Sequence, residues 1–126
     1  MSHTMIYNSG LHIIEIKYQG IITFDEVKET FSEAVRMIQD ANCFLTLGDY
    51  RSAKVNLSTL EIHKLPKVIA DLLAPSGITP YKLKRAFVVA KDLEDFYFFE
   101  TVTLNNGQHA KIFQNMDDAK KWLLQK

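Results

Sequence analysis

The run Arg85-Ala86-Phe87-Val88-Val89-Ala90 constrains the fold more than any other segment of this chain. Its apolar residues are consecutive, so a strand here turns apolar side chains to both faces of a sheet. Such a strand needs cover on both sides. The chain has 126 residues, which fits one domain by the usual prior of about 100–200 residues. No linker or internal repeat divides it, so residues 1–126 are expected to form a single domain.

The helices that could supply the cover announce themselves by their caps. Thr23 and Glu26 have capping-box spacing, and Phe24, Val27, Phe31, Ala34 and Ile38 follow at helical intervals. Ser58 and Glu61 repeat the spacing ahead of Leu60, Leu65, Ile69, Leu72 and Leu73. Pro66 falls inside that second stretch and predicts a kink or a split into two short helices. A third helix is expected over 92–106, closed by Asn106-Gly107. Asn115 caps a last one, with Asp117 and Asp118 in its first turn and Ala119, Trp122 and Leu123 as its buried stripe.

Strands are expected between them. Residues 5–8 and 11–18 flank Asn8-Ser9-Gly10, turn chemistry that predicts an antiparallel hairpin ending at Gly20. Within it, His12, Ile14, Ile16 and Tyr18 share the expected core face. Residues 43–47 form a short apolar strand ending at Gly48-Asp49, followed by a polar loop over 50–57. Residues 109–114 supply the closing strand. The resulting order is β-β-α-β-α-β-α-β-α. It predicts an α/β fold: a mostly parallel central sheet, an antiparallel N-terminal edge strand and four helices.

Composition removes several function classes. Lys+Arg and Asp+Glu both number 15, a zero net charge that argues against a nucleic-acid binder. Cys43 is the only cysteine, so no internal disulfide can form, which fits a reducing, cytoplasmic setting. The N-terminus has no signal-peptide pattern, and no apolar run approaches the length of about 20 residues that a membrane span needs. His3, His12, His63 and His109 fall in separate segments without metal-ligand spacing, so neither metal nor cofactor is expected. Cys43 opens an apolar strand and reads as core rather than nucleophile. Phosphate-loop, dinucleotide-binding and nucleophile-elbow signatures are missing.

Taken together, the segments resemble the STAS-like family of anti-sigma-factor antagonist domains, in particular its SpoIIAA-like branch. The likeness is carried by Gly20-Ile21-Ile22-Thr23 before the first helix and by Leu47-Gly48-Asp49. It continues in Arg85-Ala86-Phe87-Val88-Val89, in Ile112-Phe113, and in Asp118-Ala119 with Trp122-Leu123. The resemblance implies a bacterial, non-enzymatic regulatory or protein-interaction domain. Regulatory members carry Asp-Ser-Ser/Thr-Gly after the third strand, where a kinase phosphorylates a serine. Here Asp49 holds the strand end, but no Asp-Ser pair and no glycine follow, and Ser52 and Ser58 are the nearest serines.

Two places are candidate sites. Asp49, Tyr50, Arg51, Ser52, Lys54 and Ser58 leave the carboxyl end of a strand and enter a capped helix, a position suited to an anion. The competing reading is a solvated loop with Ser58 as a cap. The second is Phe96-Tyr97-Phe98-Phe99, which spreads around a helix that can bury only one stripe. Phe96, Tyr97, Phe98, Thr101 and Leu104 are thus an expected interaction surface, unless residues 78–83 cover them. The expected partner is another protein or a second copy, giving a homodimer. The alternative is a small apolar or anionic ligand, as in CRAL-TRIO lipid-binding domains, which this fold resembles. For an enzyme, Asp49, Tyr50 and His63 are the one trio to check for acid–base work in a cleft.

Overall fold

The structure, a computed structural model, describes residues 3–90 and 108–125. Strand β1 (His3–Asn8) pairs antiparallel with β2 (Ile13–Ile22), from His3 opposite Tyr18 to Asn8 opposite Ile13. The turn chemistry acts as expected: the Asn8 carboxamide oxygen accepts the Leu11 backbone N–H at 3.1 Å. His12, however, belongs to this turn. It has φ of 58° and is exposed, instead of sharing the core face with Ile14, Ile16 and Tyr18.

Strands β3 (Leu45–Val55), β4 (Lys84–Val88) and β5 (His109–Phe113) continue the sheet in parallel. The spatial order is β1-β2-β3-β4-β5. This is the α/β sheet with an antiparallel edge that the element order implied. Among the described residues the helices are α1 (Phe24–Ala41), α2 (Thr59–Leu73) and α3 (Met116–Leu124). The helix expected over 92–106 lies outside the described residues.

The caps hold. The Thr23 hydroxyl accepts from the Glu26 N–H, Ser58 and Glu61 form a full capping box, and the Asn115 side chain accepts from Asp117 and Asp118. Helix α2 runs unbroken through Pro66. Proline withholds the N–H that the Ile62 carbonyl would receive, but Ile62, Leu65, Pro66, Ile69 and Leu73 are all buried, and packing outweighs the lost bond. Leu60, expected on that stripe, is 64% exposed, and Ile62 takes its place.

The helices sandwich the sheet. On one face Ile14, Ile16 and Tyr18 pack with Phe31, Ala34 and Ile38 of α1 and Ile69 and Leu73 of α2. On the other, Ile13, Leu47, Ala86 and Val88 pack with Ala119 and Leu123 of α3. Consecutive residues of β4 therefore serve opposite layers, which is why its sequence shows no polar face.

The largest departure lies in β2 and β3. Strand β3 starts at Leu45, leaving Cys43 as a buried residue before it. It then continues to Val55, through what polarity marked as a loop. Strand β2 likewise passes Gly20, whose φ of 74° suits glycine, and ends at Ile22. After a register shift between Lys17 and Gln19, residues 19–22 pair with residues 52–55. The β3–β4 pairing has already ended at Asp49 opposite Val88. A two-stranded ribbon thus projects past the carboxyl end of the sheet. Its backbone is satisfied by pairing while its side chains stay largely in water, so no hydrophobic alternation marks it.

Candidate functional site

The sheet and the α1–α2 layer enclose a cavity of about 70 Å³. Its walls are mostly aliphatic and aromatic, including Ile16, Phe31, Val55, Leu57, Ile62 and Leu65. Among the described residues lining it, Arg85 alone is charged. Tyr18 and Tyr50 add hydroxyls.

Strand alternation aims these groups. Gly48 and Tyr50 of β3 and Arg85 and Phe87 of β4 all point to the α1–α2 side. Gly48 makes room for two rings: a Cβ there would meet the Tyr50 ring at 2.9 Å and the Phe87 ring at 3.2 Å. Tyr50 stacks on Tyr18 with centroids 4.2 Å apart and leans on Phe87 at 5.8 Å. The Tyr18 and Tyr50 hydroxyls interact, and burial raises the pKa of both phenols, so both stay neutral.

Arg85 is only 5% exposed. Its Nη2 donates to the Gln108 carboxamide oxygen at 2.9 Å, and the Gln108 nitrogen donates to the Pro66 carbonyl at 2.8 Å. This chain ties β4, the approach to β5 and the middle of α2 together. The guanidinium also lies 6.0 Å from the Phe31 ring centroid and 5.8 Å from that of Phe87, in the range of cation–π attraction. Burial lowers its pKa to about 10, which still leaves it charged at neutral pH.

The residues singled out from the sequence are placed differently. Asp49 and Tyr50 are neighbours on a strand and face opposite sides of the sheet, Asp49 toward the α3 side beside Glu15 and Lys17. Asp49 holds Arg51 through both carboxylate oxygens, at 2.9 Å to Nε and 2.9 Å to Nη2. That hydrogen-bonded contact keeps the Asp49 carboxyl below its ordinary pKa. The Arg51 charge is thereby balanced locally. Ser52 and Lys54 are exposed on the ribbon, and the Ser58 hydroxyl is occupied as an N-cap. Asp49, Tyr50 and His63 do not converge on one face. Phe96, Tyr97, Phe98, Thr101 and Leu104 lie outside the described residues. Among the described residues no cluster of His, Cys, Asp and Glu could hold a metal, and no helix is long and apolar enough to cross a membrane.

Sequence alone does not single out Arg85, Tyr18, Gly48 or Gln108 as site residues, although the first three fall in expected strands or at a strand end. One signal was available. Arg85 is a charge at the mouth of an apolar run, on the same alternation as Phe87, so it belongs to a covered face.

Sheet order, helix layers and the antiparallel edge define an α/β domain of SpoIIAA-like fold. Solved structures agree over nearly the whole chain. An uncharacterised protein of the DUF3478 family with a SpoIIAA-like fold, from Shewanella loihica PV-4, matches with a TM-score of 0.58 at 16% identity, covering 96% of this chain and 91% of its own. An anti-sigma factor antagonist from Mycobacterium paratuberculosis matches with a TM-score of 0.58 at 13% identity, covering 98% and 96%. Unphosphorylated SpoIIAA, an anti-sigma factor antagonist, matches with a TM-score of 0.51 at 9% identity, covering 95% and 96%. No family model and no curated protein matches the sequence.

Proposed function

We propose that this chain is a non-enzymatic regulatory domain that acts by binding another protein through the projecting β2–β3 ribbon and the start of α2. The observation that carries this reading is exposed apolar residues at that end: Ile21 on the ribbon is 61% exposed and Leu60 in the first turn of α2 is 64% exposed. Ile21 sits opposite Lys54 on the ribbon, and Asn56 donates to the Ile22 carbonyl as the chain turns toward Ser58 and α2. Exposed apolar side chains with a charged neighbour, as Ile21 has in Lys54, are common in interfaces. Two structural neighbours described as anti-sigma factor antagonists support a regulatory role.

The test is an Ile21→Glu, Leu60→Glu double variant compared with the unaltered chain. Both positions are exposed, so circular dichroism and thermal melting should be unchanged. Cross-linking in the native host should trap a defined complex with the unaltered chain, a second copy included, and lose it with the variant. An identical set of complexes from both chains would reject this surface.

A second reading, a small-ligand module, is favoured by the cavity and its buried guanidinium.

A further inference from the structure

We propose that the outer edge of β1 pairs antiparallel with β1 of a second copy, joining two sheets into one across a two-fold axis at Ile6. This goes beyond the protein-binding reading and uses a different surface from the ribbon and α2.

The edge is open. Strand β1 begins the strand order, so among the described residues β2 is its only strand neighbour. Alternate residues of a strand turn their N–H and C=O groups to opposite sides, so half of those in β1 point away from β2. Proteins usually guard such an edge with lysine, proline or a bulge. His3–Asn8 contains no lysine, no acid and no proline, and its register with β2 runs without a shift. The strand at the other end of the order, β5, carries the exposed Lys111 at its centre.

Symmetry favours a second copy as the occupant. An antiparallel strand is its own complement under a two-fold axis, so each copy supplies the backbone groups that the other needs. Residues directly opposite in such a pair share a face of the sheet. The axis must therefore pass through a residue and not between two. Met5 packs on the α1–α2 layer, and His3 on the same face bonds Thr30 and Glu33 of α1. Thr4 and Ile6 lie on the other face, near Glu15 and Lys17.

Side-chain chemistry chooses the residue. An axis at Ile6 sets Ile6 against its own copy, Met5 against Tyr7, and Thr4 against Asn8. Ile6 is 58% exposed and Tyr7 36% exposed, so this register covers the apolar side chains that the edge leaves in water and matches polar with polar. An axis at Met5 would instead set Ile6 against Thr4 and His3 against Tyr7. With no lysine or acid in the strand, self-pairing brings no like charges of β1 together. Six residues a side make a small contact, below about 1,200 Å² and in the class of transient interfaces. The dimer should accordingly depend on concentration.

Sedimentation velocity of the full chain, from about 10 µM to about 1 mM, tests this. The sedimentation coefficient should rise from that of a monomer toward that of a dimer. Ile6→Lys and Ile6→Glu each set like charges against each other on the axis, and each should weaken the dimer about tenfold. Mixing the two variants should restore a dimer holding one of each, because opposite charges then face across the axis. Ile6 is exposed, so circular dichroism should show both variants folded. The Ile21→Glu, Leu60→Glu variant should dimerise like the unaltered chain, which separates this edge from the ribbon surface. Four results would overturn the proposal: a monomer at every concentration, even if the edge takes a strand from a different protein; a dimer that Ile6→Lys leaves unchanged; no rescue in the mixture; or a dimer that the ribbon variant abolishes.

Discussion

The two faces of the sheet are built on different terms. The buried core of the α3 face is aliphatic, with Ala86 and Ala119 small enough to bring helix and sheet close together, Ile13, Leu47, Val88 and Leu123 filling the layer, and the Phe113 and Trp122 rings at its margin. Lys84 pins the end of that helix, hydrogen-bonding the Trp122 and Gln125 carbonyls and lying over the Trp122 ring. Among the described residues, the opposite face has two longer helices, and the Tyr18, Phe31, Tyr50 and Phe87 rings with a buried guanidinium around a cavity. Small branched side chains can interdigitate without gaps. A stacked pair of tyrosine rings and a tilted phenylalanine ring, with a charge beside them, leave a defined space. Among the described residues, the buried core of one layer is aliphatic and that of the other is aromatic and carries a charge, on either side of the same strands.

Matched truncations put that contrast at risk. Leu123→Ala should cost about 3–5 kcal/mol, the upper part of the range for buried leucine, because Leu123 is fully buried and its small neighbours Ala86 and Ala119 cannot fill the gap. Leu65→Ala, beside the existing cavity, should cost about 2–3 kcal/mol, since α2 has room to settle. Urea denaturation of the two variants measures both, and equal losses would break the comparison.

Gly48→Ala should cost about 1–3 kcal/mol by pushing the Tyr50 and Phe87 rings off their stack. Near-ultraviolet circular dichroism, which reports ring environments, should change with it. An unperturbed aromatic signal would mean that the rings do not depend on this glycine. Ser58→Ala should cost about 1 kcal/mol by removing the capping box at the start of α2. A thermal melt resolves that loss, and Ser58→Asn should restore most of it.

The smallest effect concerns Asp49, on the α3 side of the ribbon. Its carboxyl is held below the ordinary value, first by the side-chain hydrogen bond from Arg51. A group whose folded pKa is depressed contributes stability above its unfolded value, about 3.9, and loses it as pH falls through the folded value. Stability of the unaltered chain should therefore drop more steeply below about pH 4 than that of Asp49→Asn. Denaturation midpoints at pH 7 and pH 3 give the comparison. The difference should be small, because Arg51 is half exposed and solvent screens the pair.

Much of the fold was legible in local chemistry. Ser58 with Glu61, Thr23 with Glu26, and Asn115 ahead of two aspartates each place a helix start within a residue or so, because a cap is a bond between near neighbours. The consecutive apolar residues of β4 required cover on both faces, and the sheet has it. The site was less legible. Residues 50–55 look like a loop because their side chains are polar, yet β2 supplies the backbone pairing that makes them a strand. Once they form a strand, Asp49 and Tyr50 must face apart, and the anion loop expected there becomes an Asp49–Arg51 pair on one side and a stacked ring on the other. Leu60 and Ile62 exchanged roles on α2 for a related reason: a stripe drawn from spacing alone leaves its rotation open by about one residue, and the neighbouring layer sets it.

By itself, then, the sequence determined the order and type of the described elements, the antiparallel first pair and the need for two helical layers. Those follow from turns, caps and periodicity, which act over a few residues. Only the tertiary structure decided how far β2 and β3 extend, that Pro66 could remain inside a continuous helix, and that Arg85 meets Gln108 and the stacked tyrosines around a cavity. These depend on contacts between residues as far apart as Tyr18, Pro66 and Gln108. No local preference encodes such a meeting, because its free energy exists only once the layers have come together.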